Sequence, residues 1–365
     1  MTFKHNNLQY TFKRYPESAN RSLRPWSAAD EYLLAYFEEH KIGSSKLAIA
    51  HDRFGFLSTV LHSYKPYSII SYASQEKAFR QNQAANNIPF DIERWASPLD
   101  EIPKPINIGI VRIPKSLDLF KLYLHQLSSS LADEGKVICS FMTRHFTPQM
   151  LSIAQEYFEV VEQSKAWKKA RLLILESKKT LPNNGLLKET SDDSGNTIRQ
   201  YFGVFSADHI DYGTQFLLQN LSLQDTDHSI LDLASGSGVI AQHIRDHKSE
   251  AELHLLDDFH LAVESSKLNV SGDTTYFHLN DSLELFQPNF FDLIVSNPPF
   301  HFEYETNIDV SLKLFKEAQK CLKPDGRLVL VGNTHLNYKT HLIKLFNHVD
   351  IINENEKFVI YECKR

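Results

Sequence analysis

A glycine-rich segment in the C-terminal half has the residue types of a nucleotide-binding turn. Asp232-Leu233-Ala234-Ser235-Gly236-Ser237-Gly238 follows a short apolar run and precedes residues with helical spacing. Glycines let the backbone approach a ligand, and N–H groups at a helix start face it. Asp257 ends the next apolar run, where a carboxylate can accept hydrogen bonds from ribose hydroxyls. Either feature alone is weak evidence, but together they predict a site for an adenosine-containing cofactor.

The segment Ser296-Asn297-Pro298-Pro299-Phe300 carries a second kind of chemistry. Two prolines fix the backbone and lack N–H donors, so carbonyl oxygens are left free and the Asn297 side chain adds another acceptor. These acceptors and an aromatic ring at Phe300 suit a planar base that bears an exocyclic amine. The alternative for this motif is a Pro-Pro loop with Phe300 in the core.

Strands and helices alternate around these motifs. The C-terminal half predicts strands and helices in the order Ser229–Leu233, Val239–Arg245, Glu252–Leu256, His260–Asn269, Tyr276–Leu279, Phe291–Ser296, Val310–Leu322, Leu328–Val331, Lys339–His348 and Phe358–Tyr361. Such alternation predicts an α/β fold with a parallel, doubly wound sheet. The motifs then lie at the carboxyl ends of the strands, where these sheets bind ligands.

The N-terminal half repeats this order more faintly. Its predicted elements are Leu47–Ala50, Tyr67–Tyr72, Glu76–Asn86, Ile106–Ile113, Leu117–Leu131, Lys136–Phe141 and Arg171–Glu176. Gly55 precedes Gly238 by 183 residues, Pro114 precedes Pro298 by 184, and Gly135 precedes Gly326 by 191. We interpret this near-constant offset as an internal duplication, although any two doubly wound domains share the rhythm. A polar break after Pro182 predicts domains at 1–182 and 183–365.

Composition limits the class of protein. The chain has 365 residues, 42% hydrophobic and 23% charged, which is typical of two globular domains. The polar start and the lack of a 20-residue apolar run predict neither a signal peptide nor a membrane span, and hence a cytoplasmic protein. Cys139, Cys321 and Cys363 lack CxxC spacing, so we expect neither a disulfide framework nor a metal site.

Charge differs between the two halves. Residues 1–200 carry 26 Lys and Arg against 21 Asp and Glu, whereas residues 201–365 carry 13 against 24. Either the N-terminal half contacts a polyanion or surface charge simply varies. Basic and aromatic residues interleave over Arg14–Trp26 and Lys165–Arg171. This pattern is expected of a surface that contacts RNA, and also of an ordinary solvent-exposed face.

The motifs together resemble those of class I S-adenosylmethionine-dependent methyltransferases that carry an Asn-Pro-Pro-aromatic motif. Two further segments are similar to segments of the ribosomal RNA guanine-N2 methyltransferases. They are Gly203-Val204-Phe205-Ser206, with Asp211 and Gly213, and Asn333-Thr334-His335-Leu336. Members of that family are duplicated and have an inactive N-terminal copy. Pro25–Leu34 and Trp167–Arg171 resemble the large-subunit (23S) members rather than the small-subunit (16S) members.

This resemblance implies a fold, a reaction and residue roles. The fold would be two tandem Rossmann-like methyltransferase domains, with an antiparallel last strand in each sheet and a degenerate N-terminal copy. S-adenosylmethionine would methylate the N2 amine of a specific guanine in 23S ribosomal RNA, either naked or in an assembly intermediate. Asn297, Pro298 and Phe300 would be catalytic. The cofactor would be bound by Phe205, Asp211, Gly213, Asp232, Ala234, Gly236, Gly238, Asp257, Asn280, Asp281 and Asn297. The family usually has glycine at position 234.

The N-terminal copy lacks these residues. Ile49 stands for Asp232, Arg53 for Gly236 and Ile113 for Asn297, so we expect this copy to bind no cofactor. His301 and His335 fit loop positions better than a catalytic base. Three alternatives remain open: methylation of a 16S guanine, methylation of an adenine N6 or glutamine amide, and a non-catalytic RNA-binding assembly factor.

Overall fold

The computed structural model describes residues 1–18, 20, 22–40, 42, 46–182, 185–191, 195, 197–206, 208–299, 301–302, 305–306 and 308–365. These residues form two compact units, Met1–Leu186 and Leu187–Arg365. Among the helices described, none combines the length and apolar composition needed to cross a membrane.

The N-terminal unit begins with a hairpin and continues as alternating strands and helices. Its elements are β1 Thr2–His5, β2 Leu8–Thr11, α1 Ala28–Glu39, β3 Leu47–Ala50, α2 Phe56–Val60, β4 Tyr67–Ile69, α3 Ala73–Ala85, β5 Trp95–Ala96, β6 Ile106–Arg112, α4 Leu117–Ser130, β7 Leu131–Met142, α5 Pro148–Tyr157, β8 Phe158–Gln163 and β9 Ala170–Lys178.

The C-terminal unit follows the same plan. Its elements are β10 Leu187–Ser191, β11 Thr197–Tyr201, α6 Tyr212–Asn220, β12 Ser229–Leu233, α7 Val239–His247, β13 Glu252–Asp257, α8 His260–Asn269, β14 Thr275–Leu279, β15 Phe291–Ser296, β16 His301–Phe302, β17 Glu305–Thr306, α9 Asp309–Cys321, β18 Leu322–Asn333, α10 Lys339–Leu342, β19 His348–Glu354 and β20 Phe358–Lys364.

Each unit contains a seven-stranded mixed sheet. The strand orders are β5-β4-β3-β6-β7-β9-β8 and β14-β13-β12-β15-β18-β20-β19, which are the same topology. The first five strands of each order pair in parallel. The last strand of the chain, β20, pairs antiparallel with β18. The expected pair of tandem doubly wound domains is therefore confirmed, including the antiparallel last strand.

The central strands are mainly apolar because helices cover both faces of each sheet. In the C-terminal unit, alternate residues of β12 enter different core clusters: Ile230 packs with Leu217 and Ile240, whereas Leu231 packs with Phe315 and Leu342. Every side chain of β12 is buried. This explains why β12 reads as one short apolar run in the sequence.

Some elements of the structure differ from the predictions or were not predicted. The helix predicted over Lys339–His348 ends at Leu342, because Leu345 and Phe346 both donate their N–H to Leu342 in a tight turn that brings Phe346 into the core. The sheet-edge strands β8 and β19 were not predicted. The residues of β19 are almost all exposed, so no apolar alternation marks the strand.

Candidate active site

The sheet of the C-terminal unit brings the chemistry-bearing segments to one edge. Because β12, β13, β14 and β15 are parallel, the segments that follow them all begin at their carboxyl ends. The ends of β12 and β15 are joined directly, since Ser296 Oγ donates to the carbonyl oxygen of Leu233 at 2.7 Å. The glycine-rich turn and the Asn297 segment therefore start side by side.

The turn after β12 bends through the left-handed region at three residues. The φ angles are +62° at Ala234, +54° at Gly236 and +83° at Gly238. A Cβ added to Gly238 would lie 2.9 Å from Val270 Cγ2, so glycine here permits close packing. A Cβ added to Gly236 would meet no atom within 4 Å. Gly236 thus faces open space, as a cradle for a bound cofactor requires.

Asp257 connects this turn to the next strand. Its Oδ2 accepts from the Gly236 N–H at 2.9 Å and its Oδ1 from the Phe259 N–H at 2.8 Å. Burial raises the pKa of this carboxyl to about 6. Each carboxylate oxygen can accept a second hydrogen bond, so Asp257 can still receive two ribose hydroxyls.

Asp232 lies beneath the same turn and is fully buried. Its Oδ2 accepts from the Ala241 N–H at 3.0 Å, whereas no residue that the structure describes bonds to its Oδ1. Burial and the nearby Asp257 raise the pKa of Asp232 to about 8. A buried carboxyl with an unused oxygen, beneath an open cradle, fits a bound polar group, so these residues fit the expected cofactor.

Asn280 and Asp281 follow β14 at the same edge. The Asn280 N–H donates to the Asp257 carbonyl at 3.0 Å, and its side-chain oxygen accepts from the Asp281 N–H at 2.9 Å. The Asp281 carboxylate is buried and lies 3.7 Å from Lys313 Nζ. Both residues are therefore held beside Asp257, the residue predicted to bind the ribose.

Asn297 is held by the start of helix α6. Its Nδ2 lies 2.9 Å from Asp211 Oδ2 and 2.9 Å from Thr214 Oγ1. Asp211 caps α6, because its side chain also accepts from the Thr214 N–H at 3.0 Å. A Cβ at Gly213 would come within 2.9 Å of Asp211 Oδ2, so this close approach needs glycine. Both Nδ2 hydrogens have acceptors, which leaves Oδ1 as the acceptor of this amide.

A cavity of about 180 Å³ opens beside Asn297, on the β18 side. It is lined by Asp211, Asn297, Pro298, Val331, Gly332, Asn333, Leu336, Tyr338 and Phe358. Asp211 and Asn297 supply acceptors, and Tyr338 and Phe358 supply ring surfaces. Such a mixture suits a planar polar base.

A buried hydroxyl chain fixes the proline segment. Ser311 Oγ, on α9, donates to the carbonyl oxygen of Pro299, and Tyr338 Oη donates to Ser311 Oγ at 3.4 Å. The Tyr338 ring in turn lies against Gly332, where an added Cβ would be 2.5 Å from Cδ2. Helix α9 and strand β18 therefore both position the residues next to Asn297.

Two predicted residues contribute less to this picture. Phe300 lies outside the described residues. The Phe205 side chain is 64% exposed, and the contact described for Phe205 is a hydrogen bond from Gln200 Nε2 to its carbonyl. His335 lies in a single 3₁₀ turn after β18, as expected for a loop residue.

The N-terminal unit has the same edge with different residues. Strand register matches Arg112 to Asn297 and Ile70 to Asp257. The sequence-based match of Ile113 to Asn297 was wrong by one residue, because the strand segments differ in length. Arg53, at the position of Gly236, is buried with its guanidinium 4.0 Å from the Tyr72 ring centre. A side chain thus occupies the position that is open in the C-terminal unit.

Within the part of the chain that the structure describes, no group of three or more His, Cys, Asp and Glu side chains is placed to hold a metal ion. Cys139, Cys321 and Cys363 are all buried and free.

Sequence reasoning missed Thr214, Ser311 and Tyr338. Thr214 follows Asp211 at the spacing typical of a helix start, which was the one available signal. Nothing local marked Ser311 or Tyr338, since their partners are distant in the chain.

Comparisons with known proteins were made for the whole chain. Two family models match, described as "RLMG N-terminal domain" over residues 1–180 and "Methyltransferase small domain" over residues 195–362. The protein named "Ribosomal RNA large subunit methyltransferase G" of Pseudoalteromonas translucida is 31% identical over 98% of this chain and 96% of its own length. The protein of that name from Yersinia enterocolitica is 29% identical over 97% of this chain and 92% of its own length.

One solved structure is similar over the full length. It is the T. thermophilus 16S rRNA N2 G1207 methyltransferase in complex with AdoMet and guanosine, which covers 100% of this chain and 98% of its own with a TM-score of 0.78. At 19% identity, this likeness supports the fold alone.

Proposed function

Because this chain belongs to the ribosomal RNA large subunit methyltransferase G family, we propose that its C-terminal unit methylates the N2 amine of a guanine in 23S ribosomal RNA. Family membership makes the protein an S-adenosylmethionine-dependent ribosomal RNA methyltransferase. The guanine N2 atom and the 23S RNA are our inference. The observation that carries it is the match to large-subunit enzymes over 98% of the chain.

The glycine-rich edge would hold the cofactor. When bound, S-adenosylmethionine supplies a methyl group on a positively charged sulfur, which is an already activated donor. Asp257 would accept the ribose hydroxyls, with Asn280 and Asp281 beside the adenine. Backbone at Ala234, Gly236 and Gly238 would line the cradle above Asp232. Phe205, Asp211 and Gly213 would lie at the methionine end.

Asn297 and Pro298 would hold the target amine. Asn297 Oδ1 and the Pro298 carbonyl can each accept one amine hydrogen, which aligns the nitrogen and draws its lone pair out of conjugation with the purine. No strong base is required, because the donor is activated and the proton can leave to water after the new bond forms. Phe300 is the residue that the family resemblance assigns to stacking on the base.

Access to N2 restricts the form of the RNA. The N2 edge of a stacked, paired guanine cannot enter a pocket, so the guanine must be unpaired or flipped. We therefore propose that protein-free or partly assembled 23S RNA is the substrate. In this proposal the N-terminal unit is a degenerate copy that helps to hold the RNA.

The test is methyl transfer to purified RNA that lacks the modification. Wild type and Asn297→Ala are incubated with labelled S-adenosylmethionine and either 23S or 16S RNA, and the digested nucleosides are identified by mass. We expect N2-methylguanosine in 23S RNA, with a loss of about 100-fold or more in Asn297→Ala. Asn347→Ala, at an exposed asparagine between α10 and β19, is the matched control and should retain activity.

The other outcomes distinguish the rivals. Methyl label in 16S RNA alone would contradict the 23S assignment and make the small-subunit RNA the substrate. Methylated adenine would change the target atom. Cofactor binding without transfer to any RNA would contradict catalysis and favour an assembly role.

A further inference from the structure

We infer that Thr214 is a positioning residue for methyl transfer, because it holds the Asn297 amide in the one orientation that turns Oδ1 toward the target amine. This inference rests on the proposed function and deepens it. The two ends of an amide, Oδ1 and Nδ2, have nearly the same size, so only their hydrogen-bond partners decide which end faces the substrate.

The contacts at Nδ2 specify that choice. Asp211 Oδ2 and Thr214 Oγ1 each lie 2.9 Å from Asn297 Nδ2. The carboxylate can only accept, so it excludes the reversed amide, whereas the Thr214 hydroxyl accepts the second Nδ2 hydrogen and fixes the plane of the amide. In the reversed orientation, Oδ1 would face the Asp211 carboxylate and the NH₂ group would face the substrate amine. Two groups that both need acceptors would then meet, and the amine would not be held.

The start of α6 makes this arrangement rigid. Asp211 is the N-cap residue, and its side chain binds the Thr214 N–H at 3.0 Å. Thr214 is only 9% exposed. Gly213 leaves the space into which the Asp211 carboxylate fits. Both acceptors are therefore in place before any substrate arrives.

The N-terminal unit shows the same connection with different chemistry. Arg112, at the register position of Asn297, lies 3.4 Å through Nε from Asp30 Oδ1. Asp30 is the third residue of α1, as Thr214 is the third residue of α6. The fold thus uses this helix position to hold the residue at the strand end in both units.

Thr214 can be separated from the cap, whereas Asp211 cannot. Replacing Asp211 would remove the N-cap of α6 as well as the contact to Asn297. Thr214→Val keeps the branched shape and removes only the hydroxyl, and Thr214→Ser keeps the hydroxyl. This matched pair isolates the hydrogen bond from packing.

The first measurement is steady-state kinetics with 23S RNA. Thr214→Val should lower kcat about tenfold, the value of one hydrogen bond, with the KM for RNA and the cofactor affinity within about twofold of wild type. Thr214→Ser should recover most of kcat. Wild-type kcat in Thr214→Val, or an equal loss in both variants, would overturn the inference.

The second measurement needs no RNA. In protein labelled with ¹⁵N at asparagine, the Asn297 side-chain NH₂ signal is assigned by its disappearance in Asn297→Asp. We expect slow hydrogen exchange at this group in wild type and Thr214→Ser, and at least tenfold faster exchange in Thr214→Val. Unchanged exchange would overturn the inference. If wild type fails to methylate 23S RNA but the exchange pattern holds, only the proposed substrate fails.

Discussion

At the scale of single residues, the candidate site is built from buried and half-buried side chains that are fixed by backbone groups. Asp211 binds the Thr214 N–H, Asp232 binds the Ala241 N–H, and Asp257 binds two N–H groups. Backbone donors at helix starts and strand ends move little. The acceptors are therefore preorganised for ligands, which is how active sites lower the cost of alignment.

Ala234 carries backbone strain, which predicts that Ala234→Gly stabilises the protein. Its φ of +62° crowds the Cβ, whereas glycine adopts this angle without cost. Glycine also gains freedom in the unfolded chain, so the net gain should be about 0.5–1 kcal/mol in urea unfolding. Ala84→Gly, at an exposed position in α3, is the control and should lose about 1 kcal/mol. Loss of stability in Ala234→Gly would contradict this reading of the turn.

The raised pKa of Asp257 predicts pH-dependent cofactor binding. With a pKa near 6, the carboxyl is mainly protonated at pH 5 and ionised at pH 7. The ionised form is the better acceptor for hydroxyls, so affinity for S-adenosylmethionine should increase severalfold from pH 5 to 7, a range that lies below the pKa of about 8 of Asp232. Calorimetric titration measures this. Asp257→Asn should bind more weakly with a flat profile; the same slope in that variant would assign the titration to another group.

The positions of the main ligand-facing residues could be predicted because each follows a strand directly. Asp257 and Asn297 lie at strand ends that apolar runs reveal. Their roles stay predictions. Thr214 could not be predicted from chain order, since its contact with Asn297 spans 83 residues. Only the folded sheet brings α6 to the end of β15.

At the scale of elements, the C-terminal unit fixes the entry to β12 by a buried ion pair. Arg327 on β18 binds Asp227 through two nitrogens at 2.6 and 2.8 Å, and its Nη2 also donates to the Ser222 carbonyl. Arg327 and Asp227 are 3% and 1% exposed. The segment from α6 to β12 is therefore tied to β18, which lies two strands away from β12 in the sheet.

Removing one partner of this pair should be costly. Arg327→Leu leaves the Asp227 carboxylate buried without its cation, so we expect a loss of about 3–5 kcal/mol in the free energy of unfolding. Urea denaturation measures it. Lys267→Met, which breaks an exposed pair with Glu264 at 2.7 Å, is the control and should change stability by less than about 1 kcal/mol. A small loss in Arg327→Leu would show that the pair is not structural.

The sequence predicted those elements whose residues are buried on both sides. Strands β12 and β15 are continuous apolar runs, and their helices show apolar spacing. Strand β19 pairs with β20 but exposes most side chains, so its existence depends on hydrogen bonds rather than on burial. Helix α10 ended early because a tight turn, not helix continuation, buries Phe346.

At the scale of the whole molecule, two sheets of the same topology carry opposite site chemistry. Where the C-terminal unit has the acceptor Asp257, the N-terminal unit has Ile70. The C-terminal unit has open space at Gly236. In the N-terminal unit the Arg53 side chain fills this position, and its Nη2 donates to Ser74 Oγ at 2.8 Å. At this corner, the described residues of the N-terminal unit offer neither the space nor the acceptor that the C-terminal unit has.

This contrast predicts one cofactor per chain. Calorimetric titration of the full chain with S-adenosylmethionine should give a single class of sites with a stoichiometry near one. Arg53→Gly should leave that number unchanged, because Ile70 offers no acceptor for ribose. Two sites per chain, in wild type or in Arg53→Gly, would contradict the assignment.

The left-handed bends after β3 and β12 have a consequence for how such a protein can change over evolutionary time. His51 and Ala234 share φ near +60°, and Gly55 and Gly238 occupy the same region at +70° and +83°. The N-terminal corner keeps the first and last of these bends, although Arg53 fills it and, unlike Gly236, is not left-handed. The corner is thus demanded by the route from strand to helix, and a ligand merely exploits it. A duplicated domain can lose its activity through side-chain substitutions while its fold is kept. Such a domain remains a scaffold on which other surfaces can be selected.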